Sequence, residues 1–290
     1  MTRTSLRGVL AVLALVLLCS CAERPADDGG GDAGAPPPSP ALPEGLVLQV
    51  SYTGGYVTPE MLASRLPLLS VYSDGRVLSE GPVTMIYPGP ALPNVQLARV
   101  DEATVRGLAE RALAAGVADT GDLGSPPIAD AASTRFTLVT AEGTHVREVY
   151  ALTEGAGADE QLGDEQRAGR AALAGLLDEL TTVTGTASEG YVPDALAVVV
   201  RPWTAADDEV EPDLVQPQAP WPGPALPGEP LEPALGLSCL LVAGADVPAV
   251  LEAATAANAR TPWIGADGAR WALTFRPLLP HESDCTALRS

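Results

Sequence analysis

The chain has 290 residues, and its 17 basic and 37 acidic residues give a formal net charge of −20 at pH 7. So strong a negative charge argues against nucleic-acid binding and against direct adsorption to anionic lipid, because phosphates are repelled. All 17 basic residues are arginine. The absence of lysine excludes a lysine Schiff base, a Ser-Lys dyad and a P-loop.

The first 20 residues combine two arginines with a short apolar run and carry no acidic residue. Residues 8–18 form an apolar run behind Arg3 and Arg7, and this run is too short for a bilayer span, which needs ~20 apolar residues. It closes on Leu18-Cys19-Ser20-Cys21, which resembles a lipobox, the signal at which bacteria attach diacylglycerol to a cysteine and cut before it. Cleavage before Cys21 leaves the small Ser20 as the residue just before the cut. Cys19, at the middle position of the lipobox, departs from the Ala, Ser, Thr or Val that is usual there.

This resemblance implies a chain held on the extracytoplasmic face of the cell membrane by a lipid on Cys21. Stable anchoring takes two acyl chains, and a diacylglyceryl cysteine supplies both. Residues 21–43, rich in Gly, Pro and acidic residues, predict a flexible tether with an r.m.s. reach of ~25 Å.

Residues 44–188 predict an N-terminal α+β domain. Strands are expected at 46–52, 84–87 and 95–100, with hairpins about Ser73-Asp74-Gly75 and Glu142-Gly143. Asp101 is expected to cap a helix that ends at Gly116, and a second helix is expected over 164–183.

Residues 189–290 predict a C-terminal α+β domain. Its expected elements are strands at 195–201, 237–242 and 270–276, a helix capped by Asp246, and an acidic, proline-rich excursion over 204–235. The predicted fold class is therefore α+β, with mostly antiparallel sheets and a few packed helices.

The two predicted sub-domains share a sequence segment. Residues 87–93 and 221–227 each consist of an aromatic residue followed by Pro-Gly-Pro-Ala-Leu-Pro. A duplication would explain the match, but convergence is easy in a chain with 28 Pro and 29 Gly, so both explanations stay open.

Cysteine usage predicts one disulfide. Cys19 leaves with the signal peptide and Cys21 carries the lipid, so Cys239 and Cys285 remain, in a compartment where disulfides persist. A nucleophilic or metal-binding Cys285 is the alternative.

Few residues suggest catalysis. The histidines are His145 and His281, neither of which lies in a metal-binding or nucleophile motif, and we interpret His145 as a cross-strand surface residue.

Acidic residues cluster at two places, at Asp119, Asp122 and Asp130 and at 207–213. We interpret both clusters as solvated loops, with calcium binding as an alternative. No catalytic residue, cofactor or metal site is predicted.

Aromatic residues are scarce and concentrate near the C-terminus. Trp263, Trp271 and Arg276 suggest a groove for a ligand or partner. A small core beside the disulfide is the alternative.

As a whole the chain resembles uncharacterised secreted lipoproteins of high-GC bacteria. The resemblance lies in the lipobox, the Ser-Asp-Gly hairpin with the segment at 87–93, and the ending at 276–282. A much weaker similarity, over 44–184, is to emfourin-type protease inhibitors, through the Gly-Gly-Tyr turn, the Asp-capped helix and the hairpin with its following helix.

These observations predict a membrane-anchored envelope lipoprotein that acts as a non-catalytic binding or inhibitory module for an envelope protein or a small ligand. An extracytoplasmic hydrolase and a solute receptor for a transporter are the alternatives. A pocket holding His145 against a serine and a carboxylate would favour the hydrolase. A cleft between two comparable lobes would favour the receptor. A shallow surface with exposed Trp would favour a module that binds a protein.

Overall fold

A computed structural model describes residues 41–289, apart from 156, 158, 185–187, 209–213 and 215. Cys19, Cys21 and the predicted tether up to residue 40 lie outside the described residues. Near the start of the described residues, the Ala41 carbonyl accepts a hydrogen bond of 3.0 Å from the amide of Ala141. Within the described ranges, no helix is both long enough and apolar enough to span a bilayer.

The fold is α+β, as predicted. The N-terminal half forms an antiparallel sheet of seven strands in the order β6-β5-β1-β2-β3-β4-β7. These strands are β1 (Leu46–Gly54), β2 (Leu69–Tyr72), β3 (Arg76–Glu80), β4 (Val95–Arg99), β5 (Ala132–Thr140), β6 (Gly143–Tyr150) and β7 (Ser188–Gly190). The last strand straddles the predicted domain boundary at 188/189 and pairs with β4.

The core of this half lies between one sheet face and two helices, α2 (Glu102–Ala114) and α3 (Asp164–Thr184). The Asp101 carboxylate caps α2 by accepting a hydrogen bond of 2.7 Å from the Thr104 amide, as expected of an N-cap aspartate. The apolar side chains of α2 recur at helical spacing, so one stripe is buried. That stripe consists of Val105, Leu108, Ala109 and Ala112.

The C-terminal half forms a six-stranded sheet in the order β10-β11-β8-β13-β12-β9. Its strands are β8 (Ala195–Pro202), β9 (Ala219–Pro220), β10 (Glu229–Glu232), β11 (Leu237–Ala243), β12 (Trp263–Ile264) and β13 (Arg270–Pro277). All pairs are antiparallel except β12 with β9. Two helices belong to this half, α4 (Ala205–Asp208) and α5 (Val247–Thr255).

One face of the second sheet packs against α5 and a cluster of aromatic residues. Trp263, which is fully buried, meets Phe275 edge to face with 5.6 Å between ring centroids, and Trp221 meets Trp263 at 5.7 Å. Such edge-to-face pairs add stability beyond their buried area.

The two halves exchange segments. Ala91 and Leu92, between β3 and β4, pack on the core of the second half. In return, Leu279 from the C-terminal tail packs against Tyr72 and Leu78 on the first sheet. By their contacts, all described residues belong to one unit.

A short helix missed by the sequence analysis, α1 (Pro59–Ser64), contacts β8 and β13 of the second sheet. The Thr58 hydroxyl caps it by accepting a hydrogen bond of 3.3 Å from the Met61 amide. Glu60 on this helix also forms an ion pair of 2.8 Å with Arg201 on β8. The helix therefore ties the two halves together.

One local prediction was wrong, and another was right only in the position of the helix start. Residues 84–87 form no strand; Met85 and Tyr87 are instead 98% and 68% exposed, because Pro82 and Pro88 bracket a segment that has no partner strand. Asp246 precedes α5, but its side chain makes no capping hydrogen bond, since residues 244–246 already form a 3₁₀ turn.

The two Pro-Gly-Pro-Ala-Leu-Pro segments meet at one core. Leu92 of the first and Leu226 of the second both pack on the core of the second half. However, the strand orders of the two sheets differ, which gives the duplication hypothesis no support.

Candidate functional site

An open cavity of about 980 Å³ lies between the two sheets. Its volume falls at the upper end of the range typical of small-molecule sites. Residues from both halves line it, so neither sheet forms the cavity alone.

The floor of the cavity is the polar face of the first sheet. Along β1 and β5 side chains alternate between the two faces, and Val50 and Phe136 point into the helical core. The neighbouring residues along each strand point to the other face of the sheet. There Gln49 pairs with Thr137, and Ser51 pairs with Arg135.

The walls come from α1 and from the C-terminal half. Lining residues on α1 and just after it are Pro59, Leu62, Ala63, Arg65 and Leu66. Lining residues of the C-terminal half include Leu231, Glu232, Leu235, Leu237, Arg276, Glu282, Leu288 and Arg289.

A disulfide and a glycine hold the C-terminal wall in place. Cys285, which opens the final 3₁₀ turn, is bonded to Cys239 on β11, with Cα atoms 6.1 Å apart. Gly228, with φ of +84°, precedes β10 where an added Cβ would lie 2.4 Å from the Cys239 carbonyl oxygen. Only glycine fits this close approach.

A buried ion pair lies where the tail crosses β13. Arg276 binds both carboxylate oxygens of Glu282, with 2.7 Å between Nη2 and Oε1, and the side chains are only 4% and 8% exposed. Glu282 also accepts a hydrogen bond of 2.7 Å from the Leu279 amide. The buried Nε of Arg276 has no hydrogen-bond partner among the described residues.

A second polar contact joins the tail to the first sheet. The Tyr72 hydroxyl lies 2.8 Å from Nδ1 of His281, and Gln49 Nε2 lies 3.5 Å from the other ring nitrogen. Burial, followed by the charge of Glu282, raises the pKa of Tyr72. Burial is also the main cause that lowers the pKa of His281; the Arg276 charge acts in the same direction, and the Glu282 charge opposes them.

Arginines outnumber acids around the cavity. Arg65, Arg135, Arg276 and Arg289 line it, against Glu232 and Glu282. This local excess of positive charge contrasts with the net charge of −20 for the chain.

Two of the three predicted groove residues come together, and the third lies apart from them. Trp263 and Trp271 are cross-strand partners on β12 and β13, with Trp263 inside the core. Arg276 alternates to the opposite face of β13, where it lines the cavity. Cys21, the predicted lipidation site, lies outside the described residues.

His145 is on the edge strand β6, opposite Leu138, and does not line the cavity. Within the described ranges it makes no hydrogen bond or ion pair, and no group of three or more His, Cys, Asp or Glu side chains is arranged to hold a metal ion. The acidic residue Asp207 instead forms an ion pair of 2.7 Å with Arg201. The hydrogen bond from Arg201 lowers the pKa of Asp207 well below the ordinary range.

Neither the floor of the cavity nor its α1 wall was predicted from the sequence. The polar alternation of Gln49, Ser51, Arg135 and Thr137 was readable, but it is also what a solvent-exposed sheet face requires. The two cases are distinguished by α1 and the C-terminal half, whose residues form walls around this part of the sheet face.

Comparisons of the chain with protein-family models, with curated proteins and with solved structures gave no match.

Proposed function

We propose that this chain is a lipid-anchored lipoprotein of the cell envelope whose folded unit is a non-catalytic binding module for a small ligand. The observation that carries the proposal is the open cavity of about 980 Å³ between the two sheets. The cavity combines apolar walls with a few polar and charged groups, which is the composition expected of ligand sites.

The anchoring part of the proposal rests on the lipobox-like Leu18-Cys19-Ser20-Cys21. Cys21→Ser should abolish lipid attachment and move the chain from the detergent phase to the aqueous phase in a partitioning experiment. Cys19→Ser is the matched control and should still partition with detergent. The opposite pattern would overturn the assignment of Cys21.

The binding part is tested on the soluble chain from residue 22, which retains every described residue. This chain is incubated with a small-molecule extract of the envelope, desalted and examined by native mass spectrometry. We expect a mass increment of small-molecule size. Thr137→Trp, which fills the floor of the cavity, should abolish the increment.

Ala172→Trp is the matched control, because it adds the same side chain to an exposed position on α3 that does not line the cavity. Equal retention by Thr137→Trp and the unchanged chain would place the ligand elsewhere. No retention by any variant would contradict the binding module.

A solute receptor for a transporter is the second candidate. It is favoured by the position of the cavity between two sheets, each with a core of its own. A receptor that closes on its ligand should show a smaller radius of gyration by X-ray scattering when loaded, whereas a rigid binding module should show no change.

A further inference from the structure

We propose that the cavity between the two sheets takes an organic anion with an apolar body, such as a medium-chain carboxylate. This inference rests on the proposed binding function and names the chemistry of its ligand. Two independent features carry it: guanidinium groups with donors to spare, and leucines left exposed on two separate walls.

Three of the lining arginines use only one guanidinium nitrogen in contacts with described residues. Arg65 donates from Nη1 to the Gly54 carbonyl at 2.9 Å, and Arg289 donates from Nη2 to the Pro230 carbonyl at 3.0 Å. Both partners are neutral carbonyls, so these two positive charges are not neutralised by the contacts. Because a guanidinium carries five donors in a planar fork, each group keeps nitrogens able to bind a carboxylate.

Arg135 and Arg276 differ in that each has an acidic partner. Arg135 Nε binds Glu148 at 3.1 Å, which leaves both of its terminal nitrogens without a described partner. Arg276 is neutralised by the buried Glu282. The positive excess therefore comes from Arg289 and from Arg65, whose charge also acts on the nearby Glu80, and it is opposed by Glu232 on the wall.

The apolar part of the ligand is indicated by two leucines. Leu62 on α1 is 47% exposed, and Leu235 in the 3₁₀ turn after β10 is 55% exposed. Both line the cavity, as do the more buried Leu66, Leu237 and Leu288. Exposed leucines that line a concave site are a typical sign of ligand binding, since an apolar ligand body would cover them.

The test uses octanoate, octanol and octylammonium as probes, which share an apolar body and differ in charge. Titration calorimetry on the chain from residue 22 should show octanoate binding, with octanol at least about tenfold weaker and octylammonium weaker still. Octanoate binding should weaken at high salt. Arg65→Gln and Arg289→Gln should each weaken octanoate binding about tenfold, while octanol binding stays unchanged.

Arg106→Gln is the matched control, because Arg106 pairs with Glu102 on α2 and does not line the cavity; its octanoate affinity should equal that of the unchanged chain. Thr137→Trp should abolish octanoate binding. Circular dichroism and thermal melts confirm that each variant is folded.

The outcomes separate this inference from the function on which it rests. If octanol binds as tightly as octanoate, and Arg65→Gln and Arg289→Gln have no effect, the anion inference is wrong but the binding module stands. Octanoate binding that survives Thr137→Trp, or no binding of octanoate, also overturns the inference. The proposed function itself fails only if neither the unchanged chain nor any variant retains a ligand from the envelope extract.

Discussion

The two halves of the molecule stabilise their sheets in different ways. The first sheet packs one face on α2 and α3, with a core that is almost wholly aliphatic. The second sheet has the nine-residue α5 as its main helix, and relies on aromatic packing, a disulfide and a loop borrowed from the first half. Regular elements suffice for the first half, whereas the second depends on long-range contacts.

This difference has a practical consequence for measurement. All four tryptophans, Trp203, Trp221, Trp263 and Trp271, lie in the second half, so their fluorescence reports that half. The longest helices, α2 and α3, lie in the first half and dominate its circular dichroism. Each half therefore has its own spectroscopic probe.

The largest expected effect is on the ion pair that joins the tail to β13. Glu282→Gln leaves the buried Arg276 without its charge partner, which typically costs about 3–5 kcal/mol of unfolding free energy. Urea unfolding is followed by tryptophan fluorescence and by circular dichroism. If the halves unfold together, the urea midpoint should fall by the same amount for both probes. Glu102→Gln, whose side chain is 73% exposed, is the control and should cost at most about 0.5 kcal/mol. A loss below about 1 kcal/mol for Glu282→Gln would contradict the buried-pair argument.

The disulfide should have the next largest effect. The double variant Cys239→Ala, Cys285→Ala opens a loop with a sequence separation of 46 residues, which should lower the unfolding free energy by about 2–4 kcal/mol. Hydrogen exchange should accelerate in β10, β11 and the last turn before it accelerates in β1 or β5. Equal acceleration in both sheets would show that the second half does not depend on the bridge more than the first.

A smaller effect is expected where the first half supports the second. Leu92 is half-buried on the core of the second half. Leu92→Ala should therefore lower the unfolding free energy by about 1–2 kcal/mol, less than the same substitution at a fully buried leucine. Hydrogen exchange should accelerate in β8 and β13, although residue 92 belongs to the first half of the chain. Leu113→Ala is the matched control, because Leu113 is half-buried on the first core. Identical exchange patterns for the two variants would contradict the assignment of Leu92 to the second core.

The smallest effect concerns His281. Its pKa in the folded chain lies below the ordinary value of 6.5, so the unfolded chain binds more protons as pH falls below 6.5, and stability is lost in that direction. His281→Gln should reduce this loss between pH 6.5 and about 5, measured as the urea midpoint against pH. His145→Gln, which changes the other histidine of the chain, is the matched control, and the two pH profiles are compared. An unchanged profile for His281→Gln would remove this residue as the source.

The regular elements of the fold could be predicted from the sequence because their signals are local. The hairpin at Ser73-Asp74-Gly75 and the stripe on α2 follow from turn chemistry and helical spacing alone. The pairing of Cys239 with Cys285 followed from the count of cysteines available for a bridge, and the structure has these two sulfurs bonded.

The candidate site could not be predicted because it is made by contacts between residues far apart in the chain. Arg65 and Arg289 line one cavity although more than two hundred residues separate them. The Trp-Arg groove was expected from closeness in sequence, but alternation along β13 sends Trp271 and Arg276 to opposite faces. The helix α1 was readable from Thr58-Pro59-Glu60, an N-cap followed by proline and an acidic residue, yet its role at the cavity was not.

The covalent tie between Cys239 and Cys285 also sets when the cavity is completed. The wall residues Leu288 and Arg289 follow Cys285 in the same 3₁₀ turn, and the bond that fastens this turn to β11 forms only under oxidising conditions. In a reducing compartment the chain lacks this fastening. If the chain is exported as proposed, the cavity would be completed only after secretion and would sample the ligands of that compartment.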